Sequence, residues 1–200
     1  RTGPVEVRNG QFWGNTLVSS TGVRERRPVF FMGYGFFSKV IDDIPKFEAL
    51  GCNIIQSARE GGGGATVIAQ GTVSDSIAIN SVPRAAAHNV VVDWLSNTEY
   101  FPHWARNKWP ELEGAGGAFY DIKVDAPQAR DIFRLNLRAC LKVIGDNPGL
   151  LSVCLMNEPT SEFWDRDQFR LRLWRDHLER VHGTIENVNA LEGTGYKSFE

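Results

Sequence analysis

The chain has 200 residues, of which 42% are hydrophobic and 23% charged, the composition of a globular protein with enough chain for a sizeable core. Its net charge of -2 gives no electrostatic reason to expect nucleic acid or an anionic membrane surface as a partner, and no apolar stretch approaches the roughly 20 residues that a membrane helix needs. Cys52, Cys140 and Cys154 lie in apolar segments without CxxC spacing, which favours buried thiols over disulfides or a zinc site.

Residues 1–27 are predicted to be extended and rich in turns. Val5-Glu6-Val7 alternates in polarity, Asn9-Gly10 is a strong hairpin signal, and Phe12-Trp13 begins a return strand. We therefore expect a β-rich lead-in over residues 1–27, followed by the main domain over residues 28–200.

From Pro28 onward the pattern alternates between strands and helices. The predicted strands cover residues 29–34, 52–56, 90–95 and 150–156. The predicted helices cover residues 41–50, 77–88, 126–144 and 167–181, with a shorter helix capped by Thr184. Pro83 is expected to interrupt the second helix or to start its last part.

Four strand-helix units in order predict parallel strands joined by right-handed crossovers, in either an open doubly wound sheet or a closed eightfold barrel. The open sheet favours a glycine-rich phosphate turn, but Gly33-Tyr34-Gly35 lacks the third glycine. We therefore predict an α/β fold of the (β/α)8 TIM barrel type. This chain would supply about the first four βα units, and both of its ends read as cuts through a longer protein.

Two long segments lack helical or strand periodicity. Residues 57–71 contain four consecutive glycines and are predicted to form a flexible loop. Residues 96–124 have aromatic and glycine residues without a regular repeat, and a loop of that length inside a compact domain is usually functional.

The fourth predicted strand ends abruptly in Asn157-Glu158-Pro159. Pro159 cannot donate to a sheet ladder and disfavours helix at Glu158, so the strand is expected to stop there. In a barrel, the C-terminal ends of the strands carry the catalytic groups. A single Glu after a strand is more often part of a polar turn, so the surrounding residues must decide its role.

Aromatic, amide and carboxyl side chains collect at the predicted strand ends and in the loops that follow. Sugars bind to such sets because rings stack on pyranose faces while polar groups bond the hydroxyls. Glu158 would act as a general acid, and Asn157 would bond a sugar hydroxyl. The predicted substrate-binding residues are Asn157, Tyr34, Gln56, Asp93, Trp94, Tyr100, His103, Trp104 and Trp109, with strand capping as the alternative for Asp93.

The sequence offers no pattern for other common chemistries. The four histidines show no HxH or HExxH spacing, so no metal site and no cofactor are predicted. A GxSxG nucleophile elbow is also absent from the sequence.

Asn157-Glu158-Pro159 after an apolar fourth strand resembles the acid/base signature of clan A retaining glycoside hydrolases, which are (β/α)8 barrels. Residues 100–105 and 108–112 are similar to the stretch after strand three in family 42 β-galactosidases. Residues 42–53 resemble the first helix and second strand of the clan, and residues 174–196 resemble its segment after strand four. The resemblance covers about residues 28–200.

The resemblance implies a β-galactosidase-like enzyme that hydrolyses a β-glycosidic bond with retention. Glu158 would be the general acid/base, and the nucleophile would be a Glu after strand seven, outside this chain. The implied partners are a β-linked oligo- or polysaccharide and the remaining half of the barrel. Gln56 stands where many clan members carry Arg.

Two other functions remain open at this point. A non-catalytic carbohydrate-binding barrel would use the same aromatic cleft without turnover. A metal-assisted lyase or isomerase on a barrel would require strand-end carboxylates spaced for a divalent ion.

Overall fold

The computed structural model describes residues 5–18, 20–35, 39–57, 77–96, 101, 103–113, 122–156 and 168–199. A three-stranded antiparallel sheet comes first in the chain, and a four-stranded parallel sheet with helices follows. Within these ranges, no helix is long and apolar enough to cross a membrane. The same ranges hold no cluster of His, Cys, Asp and Glu side chains that could bind a metal ion.

The strands are β1 (Glu6–Arg8), β2 (Gln11–Val18), β3 (Val23–Pro28), β4 (Gly33–Gly35), β5 (Ile54–Ser57), β6 (Val91–Leu95) and β7 (Leu150–Cys154). The helices are α1 (Lys39–Asp42), α2 (Ile44–Ala49), α3 (Ile77–Ala87), α4 (His103–Lys108), α5 (Pro127–Ile144), α6 (Gln168–His182) and α7 (Ile185–Glu192). A 3-10 turn covers Pro110–Leu112.

The predicted N-terminal hairpin is confirmed. β1 and β2 pair antiparallel up to Arg8 and Gln11, and the two residues between them have positive φ, 49° at Asn9 and 76° at Gly10. Positive φ at both central residues is the type I′ turn that matches the twist of paired strands. β3 adds a third strand to β2, so most of the lead-in forms one small sheet.

The parallel sheet has the order β4-β5-β6-β7, which is the order of the strands in the chain. The three pairings between neighbouring strands are all parallel. Doubly wound sheets reverse their strand order at a switch point, whereas a barrel wall adds each strand next to the previous one. The α/β class with a parallel sheet is confirmed, and the strand order is the one that a barrel wall requires.

The first parallel strand is shorter than predicted. Residues 29–32 were expected to belong to it, but pairing begins only at Gly33, which lies opposite Ile54. Before that point the Asn53 side chain bonds the backbone, accepting from Met32 N and donating to Phe30 O at 2.9 Å each. These side-chain bonds add to one backbone bond, in which Asn53 N donates to Met32 O at 2.9 Å.

The main core lies between the helices and one face of the parallel sheet. β5 and β6 contribute Ile55, Val92 and Trp94 to it, and α2, α3 and α5 contribute Ile44, Val82 and Cys140. Cys140 is fully buried, while Cys52 and Cys154 are half-buried, and all three are free thiols. Because successive strand side chains alternate between faces, the residues between these apolar ones point to the opposite face of the sheet.

The segment predicted as a long loop without secondary structure contains α4 and the 3-10 turn. With six and three residues, these elements are too short to give a recognisable period. Their apolar side chains form a second core with the start of α5. Its buried members are Phe101, Ala105, Leu112, Ile122, Ala126, Ala129 and Ile132.

The helix predictions hold with two corrections. The predicted helix over residues 41–50 is two short helices, because the chain turns at Asp43 just before Pro45. Pro83 lies inside α3, which is continuous from Ile77 to Ala87, so the expected interruption is wrong. At the C-terminal end, Thr184 caps α7 as predicted, since its hydroxyl accepts from Asn187 N at 3.3 Å.

Candidate active site

The carboxyl ends of the central parallel strands lie along one edge of the sheet. Ser57 of β5 pairs with Trp94 of β6, and Leu95 pairs with Cys154 of β7. Tyr100 follows β6 in sequence, and Asn157 and Glu158 follow β7. These three residues lie outside the described residues, so their predicted roles remain predictions.

Asp93 lies in a chain of hydrogen bonds that joins three strands. It is the central residue of β6 and is on the sheet face opposite to the main core, which we call the inner face. Gln56 Nε2 of β5 donates to Asp93 Oδ2 at 2.9 Å, and Ser152 Oγ of β7 donates to Asp93 Oδ1 at 2.6 Å. Because it lies in mid-strand and both carboxylate oxygens accept bonds, Asp93 does not cap its strand.

β7 contains an irregularity in its pairing with β6. Val92 lies opposite Leu150, and the next residue, Asp93, lies opposite Ser152. Leu151 is therefore one extra residue in β7, as in a β-bulge, which bends a strand and re-aims its side chains. The insertion places Ser152 on the inner face beside Asp93.

The exit of β7 is held by a residue that the sequence analysis did not single out. Ser96, which is 3% exposed, donates its backbone N–H to Cys154 O at 2.8 Å. Its hydroxyl donates to Leu155 O at 3.0 Å. Ser96 and Ser152 share one sequence signal, a small hydroxyl side chain within or directly after an apolar strand.

Trp94 and Tyr34 are placed apart from the inner-face residues. Trp94 is 5% exposed and packs in the main core, so its ring has no free face for a sugar. Tyr34 lies opposite Ile55 in the register and stacks on Phe47, with ring centroids 5.7 Å apart. Both rings therefore lie on the helix side of the sheet, which does not favour their predicted contact with substrate.

Trp104 and Trp109 form an aromatic pair in the segment after β6. Their ring centroids are 6.2 Å apart at an interplanar angle of 56°, and both rings pack against the second core. Lys108 Nζ lies 4.5 Å from the centroid of the Trp109 ring. His103 begins α4, and its side chain lies outside what the structure describes. The pair has the composition expected of a sugar-stacking surface.

One cleft of about 570 Å³ lies on α5. It is lined by Arg130, Phe133, Arg134, Leu137, Arg138 and Leu141. Since no predicted site residue lines this cleft, it does not extend the candidate site.

Comparison with known proteins supports the fold. No protein-family model and no curated protein sequence matches the chain. Among solved structures, the β-galactosidase from the psychrophilic Marinomonas ef1 is similar with a TM-score of 0.55 at 16% identity, over 84% of this chain and 29% of that one. The cold-adapted β-galactosidase from Rahnella sp. R3 is similar with a TM-score of 0.58 at 15% identity, over 80% of this chain and 26% of that one.

At this level of identity the likeness concerns the fold alone. This chain is similar in fold to part of each β-galactosidase, and it spans less than a third of the length of either one.

Proposed function

We propose that this chain is the first half of a (β/α)8 barrel that hydrolyses a β-glycosidic bond with retention of configuration. Residues 28–200 would supply four of the eight βα units, and residues 1–27 would form the lead-in. The observation that carries the proposal is the parallel sheet with its strands in chain order, in a fold similar to part of two β-galactosidases. Glu158 follows the last residue of β7 by four positions, on the carboxyl side where barrel enzymes place catalytic groups.

In the proposed reaction Glu158 acts first as an acid and then as a base. It gives its proton to the glycosidic oxygen as the bond from that oxygen to the anomeric carbon breaks. A carboxylate from the remaining half of the barrel, roughly 5–5.5 Å away, attacks the same carbon and forms a glycosyl-enzyme. Glu158 then takes a proton from water, whose oxygen displaces the carboxylate and restores the original configuration. Two carboxyl groups supply both steps, so the reaction requires no cofactor.

We propose β-galactosides as the first substrates to test, because both similar structures are named β-galactosidases. Trp104 and Trp109 would stack on the sugar, and Asn157, Tyr100, His103 and Gln56 would bond its hydroxyls. Gln56 already donates to Asp93, which leaves its amide oxygen for a substrate hydroxyl. We leave Trp94 and Tyr34 out of this set because both lie on the helix side of the sheet.

The test uses the full-length protein that contains this chain, with aryl β-galactosides of good and poor leaving groups. Glu158→Gln should lower kcat/KM by about 10²–10⁴-fold for a poor leaving group, which needs protonation, and far less for dinitrophenolate. Proton NMR of the first-formed sugar should show the β-anomer. Glu192→Gln, which removes an exposed carboxylate at the end of α7, is the matched control and should leave both rates unchanged.

Equal activity of Glu158→Gln and the wild type on the poor leaving group would refute the assignment of the acid/base. A full-length protein that binds galactosides without hydrolysing any of them would favour the non-catalytic carbohydrate-binding barrel.

A further inference from the structure

We infer that the cleft on α5 is a docking site for an acidic amphipathic helix of a partner protein. The inference goes beyond the proposed function and does not depend on it, because no candidate site residue lines the cleft. The partner helix would place a row of apolar side chains in the cleft and a neighbouring row of carboxylates against its arginines.

The cleft is built from two rows of side chains on one helix. Each row repeats every four residues, so its members lie one above another along α5. The apolar row is Phe133, Leu137 and Leu141, and the basic row is Arg130, Arg134 and Arg138. The two rows lie side by side, because an arginine and the next apolar residue are three positions apart. At 1.5 Å per residue the rows extend over roughly 17 Å, or three turns.

The apolar row is fixed in position by the two cores. Phe133 packs against the second core, with its ring edge-on to Phe101 and the ring centroids 5.7 Å apart. Leu137 packs against the main core, and Leu141 is 38% exposed. A partner would therefore meet a surface that is already ordered, which lowers the entropic cost of binding.

The basic row carries more positive charge than α5 itself balances. Lys142 continues the row by another four positions, so the helix has four basic residues and one acidic residue, Asp131, in a chain with a net charge of -2. All four basic side chains are exposed. Arg134 donates to Asp131 at 2.8 Å, whereas Arg130 and Arg138 have no salt bridge to any residue that the structure describes.

The stability of α5 does not explain this row. Like charges four positions apart on a helix repel each other, and the four basic residues form three such pairs. Arg130 also lies near the start of α5, where the helix dipole disfavours a cation. Carboxylates placed among these residues would have stabilised the helix, and a partner that carries carboxylates supplies what α5 lacks.

The apolar row determines which kind of acidic partner fits. A nucleic acid or an anionic polysaccharide would cover Leu137 and Leu141 with polar groups that the leucines cannot bond. A membrane surface is disfavoured because Phe133 and Leu137 pack into the cores and cannot enter lipid. A helix with apolar side chains every four residues can pack its ridge into a groove of the same spacing, with its carboxylates facing the arginines.

The experiment measures how labelled synthetic peptides bind to the full-length protein that contains this chain, by fluorescence anisotropy. The first peptide, of about 18 residues, has leucine at every fourth position and glutamate beside each leucine. The second has glutamine in place of every glutamate, and the third keeps the glutamates but has two central prolines. The first should bind at least about tenfold more tightly than the other two, and an increase in salt from about 0.05 M to about 0.5 M should weaken its binding.

Three variants locate the binding surface. Arg130→Gln combined with Arg138→Gln should weaken binding of the glutamate peptide by roughly 5- to 30-fold, the effect of losing two partly exposed ion pairs. Arg172→Gln combined with Arg180→Gln is the matched control, because it removes two exposed charges at the same spacing from α6 and should leave the affinity unchanged. Leu141→Gln should weaken binding while the Tm stays within about 2 °C, since this side chain is partly exposed.

The inference would be overturned if the glutamate peptide failed to bind at about 1 mM, or bound no more tightly than the glutamine or the proline peptide. An equal loss of affinity in the α6 control would also overturn it. A large fall in Tm for Leu141→Gln would mean that another part of the full-length protein covers the cleft, which leaves no place for a partner. Vesicles containing phosphatidylserine test the membrane alternative: if they bind through Arg130 and Arg138 and the peptide does not, the surface belongs to anionic lipid instead.

Discussion

Gly149 lies at the turn into β7 and packs against α3 so closely that even one methyl group should be harmful. A Cβ atom there would lie 2.4 Å from the Val82 carbonyl oxygen and 2.9 Å from Ala86 Cβ. The Gly149 carbonyl also accepts from Val92 N at 2.7 Å, which ties the residue to β6 on its other side. Both neighbouring atoms belong to α3, which is held by its own helical hydrogen bonds, and Gly149 is held by its bond to β6. Neither side can therefore move away without breaking hydrogen bonds.

Gly149→Ala should therefore destabilise the fold by about 1–3 kcal/mol, the usual cost of overpacking a core. For a unit of this size that corresponds to a fall in Tm of roughly 2–12 °C. Thermal unfolding followed by circular dichroism measures the effect. Gly195→Ala is the matched control, since a Cβ atom at that position meets nothing within 4 Å and no positive φ is required there. It should be neutral or slightly stabilising.

An unchanged Tm for Gly149→Ala would refute the reasoning. It would mean that the turn before β7 can move away from α3 without a loss of stability. The contact between Gly149 and α3 would then not fix the start of β7.

Two further predictions concern the contact between α2 and the residues that follow α3, and the N-terminal hairpin. The Asn89 amide, which donates to Glu48 at 2.8 Å, lowers the pKa of Glu48 below its usual 4.5, with the His88 ring at 2.9 Å as a smaller cause. The Glu48 carboxylate therefore stabilises the fold above pH 4.5, and this stabilisation is lost as the pH falls through the lowered pKa. The Tm difference between the wild type and Glu48→Gln should accordingly shrink when the pH is lowered from 7 to 3. A Tm difference that stays constant over this range would contradict the prediction. Gly10→Val should weaken the N-terminal hairpin by about 1–2 kcal/mol, because Gly10 has a φ of +76°. Faster amide exchange in β1 and β2 with unchanged exchange in α5 checks it, and unaltered exchange in β1 would count against it.

The sequence predicts best the elements whose signals are local. The apolar residues of α5 repeat with a helical period over a long segment, and the helix is found where the period predicts it. Asn9-Gly10 predicts the turn of the N-terminal hairpin, and Thr184 predicts the start of α7. Both predictions agree with the structure. The first parallel strand is less predictable, because the apolar run before Gly33 resembles a strand although the register with β5 begins only at Gly33.

The bulge in β7 could not be predicted from the sequence. Its residues are almost continuously apolar, and a run without alternation gives no information about which side chain faces which way. Only the register with β6 shows that Leu151 is extra and that Ser152 lies beside Asp93.

The alternation of side chains along a strand could already have separated two of the predicted site residues. Asp93 and Trp94 are neighbours in a predicted strand, and neighbours point to opposite faces. Both therefore could not line one cleft, and the structure places Trp94 in the main core and Asp93 on the inner face. The pairing of Trp104 with Trp109 depends on the short α4, for which the sequence carries no periodic signal.

The second core gives the aromatic segment a measure of independence from the sheet. Its buried residues come from the segment itself and the first turns of α5, and none of them belongs to the main core. Exchanges around Trp104 and Trp109 can accordingly accumulate without disturbing how the parallel strands assemble. A scaffold arranged in this way allows the aromatic segment to change in sequence while the packing of the parallel sheet is kept.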